Sequence, residues 1–215
     1  MAKKKKKRKI KIKKIIILIL ILLFAIAIYI GLRIINKKPK QPAKEIEVID
    51  SIDDFGYKLN DNETKYYNEL FNKLKEILKE ENYDEQEYAA IIAKLFLADF
   101  YDLDSKIMKS DVGGTQFVYE EYRDDFEKGA INSIYKYVEN NIYGDRKQSL
   151  PKVKEISSDN ISIEPFKYNE NKDNNAYVIT LTIKYEKDLG YPSNVQITLI
   201  HNNDRLEVAK LETKD

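Results

Sequence analysis

The chain holds one histidine and no cysteine, so the residues able to do chemistry are few. His201 closes an alternating run (Val195, Ile197, Leu199, His201) and so falls on the apolar face of a strand, at its end. An imidazole at that edge is a candidate general base. Set against this, a histidine beside a turn is ordinary, and no partner for it can be located along the chain. Asp99 and Asp102 follow an apolar helical run. A carboxylate near a helix C-terminus opposes the helix dipole, which marks both as candidates for the mouth of a pocket. His201, Asp99 and Asp102 are therefore the pocket-mouth candidates, with no residue assigned as catalytic, cofactor-binding or metal-binding.

Other constellations are weaker. One histidine without cysteine does not make a structural zinc site. Residues 169–175 (NENKDNN) and 102–104 are rich in oxygen ligands, but neither has the spacing of a calcium loop, and the first reads as a polar hairpin loop. Gly113-Gly114 lacks the Lys-Ser/Thr of a phosphate loop and reads as a turn. No nucleophile elbow or paired-histidine motif is present. The chain is thus not assigned as an enzyme, and no cofactor is expected. Tyr119, Tyr122, Tyr135, Tyr137 and Tyr143 are candidates for an interaction surface, with the core as the default for those on a helical stripe.

The elements that would position these residues can be read from periodicity. Residues 45–55 alternate weakly, and Gly56 permits a turn. A first helix is expected over residues 63–81, capped from Asn60-Asp61-Asn62, with a stripe of Tyr67, Leu70, Phe71, Leu74, Ile77 and Leu78. A second begins at Asp84, with Glu87 completing a capping box, and is apolar over a wider arc. Short strands are expected near residues 106–109 and 115–118, paired across the glycines. A third helix is expected over residues 120–141. From Pro151 the period becomes 2: residues 161–168 slip parity at Pro165, as a bulge would cause, and residues 177–185, 195–201 and 206 onward alternate cleanly.

Ahead of all this stands an apolar stretch from Ile15 to Ile35 with one charge, Arg33. Twenty-one residues make a helix of about 31 Å, close to the hydrocarbon thickness of a bilayer. Residues 1–14 carry ten basic residues, which places the N-terminus in the cytoplasm and the rest outside. Ala25-Ile26-Ala27 has the form of a signal-peptide cleavage site, but the apolar run continues through Ile35, so a retained signal-anchor is expected. The expected organisation is a basic tail (1–14), a transmembrane anchor (15–36), a linker (37–50) and an extracytoplasmic domain (51–215). Residues 45–215 hold 22 basic and 36 acidic groups, a net of −14, so this part has no field for nucleic acid. The lysines of the tail suit anionic headgroups better than a polynucleotide. Without cysteine there is neither a disulfide nor a lipoprotein anchor.

The order of two helices, a short hairpin, a third helix and a run of long antiparallel strands defines an α+β domain with three helices on a curved antiparallel sheet. Over residues 61–211 this order resembles the cone-shaped nuclear-transport-factor-2-like (cystatin-like) fold. With its anchor it is similar to the outer domains of conjugation and type IV secretion assembly proteins, and to anchored proteins of low-GC Gram-positive bacteria. The resemblance implies a binding or assembly module of the bacterial cell envelope with a protein partner. A small-ligand or hydrolytic cone domain, or a part of a secretion apparatus, is the alternative. It assigns a role to no residue.

Overall fold

The computed structural model describes residues 46–214, together with Ile16, Ile19, Leu20, residues 22–26, Ile28 and Tyr29. The basic tail, much of the predicted anchor and most of the predicted linker lie outside the described residues. Among the described residues, no helix is long and apolar enough to cross a membrane. The chain divides into two compact units, Met1–Gln41 and Pro42–Asp215. The second opens with the antiparallel strands β1 (Val48–Ile52) and β2 (Tyr57–Asn60), so β1 begins inside the stretch expected to be linker. Gly56 turns the chain between them at φ 67°, a conformation that glycine adopts without a Cβ clash.

Helix α1 (Lys65–Ile77) is shorter than the predicted 63–81 at both ends. Its cap is the Thr64 hydroxyl, which accepts from the Tyr67 N–H at 3.1 Å, in place of Asn60-Asp61-Asn62. Beyond Ile77 stand Glu80 and Glu81, whose charges oppose the negative end of the dipole, and the helix gives way to turns. Helix α2 (Glu85–Phe100) starts where expected: the Asp84 carboxylate accepts from the N–H groups of Gln86 (2.8 Å) and Glu87 (3.3 Å). It is apolar nearly all round and correspondingly buried, with Tyr88, Ile92, Leu95, Phe96 and Leu97 at most 1% exposed.

The predicted strands at 106–109 and 115–118 do not form. Thr115–Phe117 is a 3-10 turn, and only Val118 makes a single parallel bridge, to Val208. The reason lies in the glycines. They serve a close approach to the end of α2: a Cβ on Gly113 would stand 2.2 Å from the Asp99 carbonyl oxygen, and one on Gly114 2.7 Å from the Phe96 ring.

Helix α3 (Glu120–Asn132) stops nine residues before the predicted end at Asn141. Asn132 Nδ2 and Ser133 Oγ bond back to the carbonyls of Lys128 and Gly129, competing with the helix ladder, and Ser133 leaves helical conformation (φ −121°, ψ −99°). The apolar stripe loses phase there, so Tyr135 is buried while Tyr137 is 74% exposed.

Strands β3 (Val153–Tyr168), β4 (Asn171–Tyr185), β5 (Asn194–Asn202) and β6 (Arg205–Thr213) form an antiparallel meander in chain order. The register of β3 on β4 shifts between Glu164 and Phe166, at Pro165, where the parity slip predicts a bulge. The predicted loop at 169–175 shrinks to Asn169-Glu170, with Asn169 at φ 49°. Tyr177, Ile179, Leu181 and Ile183 of β4, with Val195, Ile197 and Leu199 of β5, pave one face and are all buried. Helix α2 lies across that face and touches all four strands, with α1 packed beside it. The architecture is α+β, as the sequence predicts.

Candidate functional site

Helix α2 separates the pocket-mouth candidates. Glu85 and Asp99 are fourteen residues apart, about 21 Å along the axis. His201 stands at the first end and Asp99 and Asp102 at the second, so the three do not share a site.

At the N-terminal end, β5 delivers His201 to the edge of the paved face, as its parity predicts. Its Nδ1 lies 2.8 Å from Asp173 Oδ2 and its Nε2 lies 3.2 Å from Glu85 Oε1. Asp173 Oδ2 also accepts the His201 N–H (2.8 Å), and Oδ1 accepts the Asn175 N–H (2.8 Å). Burial works against the Asp173 charge, but these N–H groups and the imidazole outweigh it and hold the carboxyl below its usual range. Tyr177 donates its hydroxyl to Glu85 Oε2 at 2.9 Å, and burial together with that carboxylate pushes the phenol up. A singly protonated ring donates to one of the two carboxylates; only the imidazolium donates to both. With Asp173 at Nδ1 and Glu85 at Nε2, the ring clamps α2, β4 and β5 together, and both of its nitrogens face carboxylates of the fold. A small pocket of about 160 Å³ opens alongside, lined by Tyr83, Tyr88, Asp204 and Arg205 among others. Arg205 is itself engaged: its guanidinium lies 4.6 Å from the centre of the Tyr57 ring and donates to the Gln116 carbonyl at 2.7 Å.

At the C-terminal end, Asp99 Oδ1 is ion-paired with Lys106, and Asp99 Oδ2 accepts the Gly114 N–H at 2.5 Å. Lys106 is 4% exposed. Burial alone would favour the neutral amine, yet the adjacent Asp99 carboxylate prevails and holds the ammonium well above its usual range. Tyr135 ties the same corner, donating to the Phe100 carbonyl (2.6 Å) and accepting the Gly113 N–H (3.1 Å). Asp102 has a different task. It is 1% exposed and accepts the N–H groups of Val153 (2.9 Å) and Ser105 (3.2 Å), fixing the start of β3. Burial raises its pKa in spite of those bonds.

Above the Asp99–Lys106 pair lies a polar cleft of about 270 Å³, bounded by β2, the chain entering α1 and the Gly113-Gly114 turn. Glu63 faces it, partly buried. Burial and the Asp99 charge push its carboxyl up to about 8. Among the described residues, no three His, Cys, Asp or Glu side chains are grouped to hold a metal ion.

Sequence reasoning misses Glu85, Asp173, Lys106 and Glu63. Asp173 reads as part of a polar loop and Lys106 as part of a strand, because each partner lies on another element. For Glu63 a signal exists: it stands in the capping segment of α1, where the chain must close on the body of the fold.

Fold and site together define an α+β domain with a helix-filled antiparallel meander and a polar cluster at either end of its central helix. No family model, no curated protein and no solved structure matches the chain.

Proposed function

We propose that the chain is a single-pass, membrane-anchored binding or assembly module, its acidic domain held outside the membrane by the stretch from Ile15 to Ile35. The observation that carries the anchor is the stretch itself: its described residues are helical, and apolar side chains such as Leu22, Leu23 and Phe24 are exposed. The ten basic residues ahead of it support an inside N-terminus. Binding is favoured over catalysis because His201, Asp99 and Asp102 all hold internal bonds and the inner face of the sheet is filled by α2. The four-stranded meander closed over a buried helix suits a cone of the nuclear-transport-factor-2-like type, and such cones serve as assembly modules as readily as enzymes. Tyr137 and Tyr143, 74% and 55% exposed, supply adhesive surface to a protein partner.

Photo-crosslinking from positions 137 and 143 in the native membrane tests the reading. A discrete adduct at these positions, missing from a control at the solvent-facing Thr180, is expected. A chain that forms no adduct and sediments as a lone monomer after detergent extraction would remove the proposal.

A further inference from the structure

We propose that the outer edge of β1 takes up an extended segment of a protein partner, alternating in basic and apolar residues, as an added strand. The inference rests on the binding-module reading and names the chemistry of the partner at one face. A two-stranded sheet is open to another chain at its edges, because each presents a row of backbone N–H and C=O groups. The edge of β2 is closed by a side chain: Lys58 donates its N–H to Gln116 Oε1 and its carbonyl accepts from Gln116 Nε2, both at 3.0 Å. The far end of β1 is closed as well. The Ser51 N–H donates to the Asp50 carboxylate at 2.9 Å, and Lys75 holds that carboxylate at 2.6 Å. The near end is open. Glu47 turns its backbone inward, its carbonyl accepting the Asp61 N–H at 2.9 Å and its own N–H donating to Asp61 Oδ1 at 3.0 Å. Alternation then turns the backbone of Val48, which stands opposite Asn60, outward. Among the described residues, no strand pairs with β1 on that side.

The exposed groups select the partner. Ile46, Val48 and Ile49 are 43%, 53% and 59% exposed, and the register break between Val48 and Asp50 leaves Ile49 in a bulge. Apolar side chains on an incoming strand would cover them. Residues 45–63 hold seven acidic groups and one basic, Lys58, a net of −6, so this hairpin carries far more than its share of the domain's −14. The complement is cationic. Side chains that alternate along a strand place lysines or arginines beside the carboxylates and apolar groups over the isoleucines. A second copy of this edge would bring the same negative charge to the same place, which disfavours self-pairing. A helix laid here would leave the Val48 N–H and C=O without partners.

The test uses the full chain in nonionic detergent micelles and a fluorescent synthetic peptide that alternates lysine and valine. Anisotropy is expected to report saturable binding that empty micelles lack and that rising salt weakens. A glutamate–valine peptide, and the lysine–valine peptide with every backbone nitrogen methylated, should each bind at least about tenfold more weakly, the first for its charge and the second for its missing N–H donors. Val48→Pro removes an N–H that faces away from β2, so the hairpin keeps its own ladder while binding falls by about tenfold or more. Val48→Lys leaves the backbone intact and should weaken binding severalfold by repulsion. Hydrogen exchange at the Val48 amide should slow in the bound state. No binding of the lysine–valine peptide, equal binding of its methylated form, or binding that neither substitution alters would overturn the proposal. So would a Val48→Cys chain that forms disulfide-linked dimers in the membrane without peptide, since that assigns the edge to a second copy. Crosslinking at positions 137 and 143 that persists without peptide binding would leave the module standing and remove only the β1 edge from it.

Discussion

At the scale of single residues, charge is placed where it does structural work, and two carboxyls titrate in opposite senses. Asp173 is held below its usual range by the His201 and Asn175 N–H groups and the imidazole. A depressed folded pKa contributes stability above the unfolded value of about 4 that is lost as pH falls through and below it. Asp173→Asn should therefore cost about 1–3 kcal/mol at pH 7 and flatten the acid limb of a urea-unfolding series run from pH 3 to 7. Glu63 is the reverse. With its folded pKa raised to about 8, its contribution is complete below about 4.5 and is lost as pH rises through 8. Glu63→Gln should leave stability at pH 5 nearly unchanged and raise it at pH 9; equal curves for the two proteins at both pH values would refute the assignment. His201 was legible as a strand-end group on the inner face because alternation fixes parity. Its partners were not, because Asp173 lies across the β4–β5 pairing and Glu85 on a helix more than a hundred residues earlier, and no local pattern encodes either meeting.

At the scale of elements, periodicity and capping chemistry carried most of the fold. Helix α2, strands β4 to β6 and the Pro165 bulge were all legible, since each is specified by its own pattern of burial. The misreadings have two causes: a tertiary contact overrode a local signal, or local side-chain bonds to the backbone overrode a periodic one. Gly113-Gly114 has the composition of a hairpin turn but is shaped by the carbonyl of Asp99, and α3 has a helical stripe that Asn132 and Ser133 cut short. Two substitutions separate these influences. Thr64→Ala removes the acceptor for the Tyr67 N–H and should cost about 1 kcal/mol, measured by chemical unfolding. Gly113→Ala places a methyl where 2.2 Å separates it from a backbone oxygen, so the Asp99–Lys106 corner must shift. A cost of about 3 kcal/mol or more is expected, with the slope of unfolding on denaturant preserved. A mild effect would mean that the glycine serves only as a turn.

At the scale of the whole molecule, the distribution of charge bears on the proposed attachment of the chain to a membrane. Ten basic residues occupy the first fourteen positions, while residues 45–215 carry a net of −14. Two modes of attachment are physically distinct. A polybasic tail resting on anionic headgroups is held by about 1 kcal/mol per lysine, and salt screens it, since the Debye length shrinks to about 3 Å at 1 M. An apolar helix of twenty-one residues is held by burial of its side chains in hydrocarbon, which salt strengthens if it acts at all. Washing membranes with 1 M salt, and then at alkaline pH, therefore separates the two. The chain should stay with the membrane through both washes and leave only with detergent. Deleting residues 15–35 while keeping the basic tail should turn it into a protein that 1 M salt releases. Protease added to intact cells stripped of their wall should digest the domain and spare the lysine-rich tail, because the proposed topology keeps the basic flank on the cytoplasmic side. Release of the full chain by salt alone would show that the lysines make the attachment and that the apolar stretch does not span.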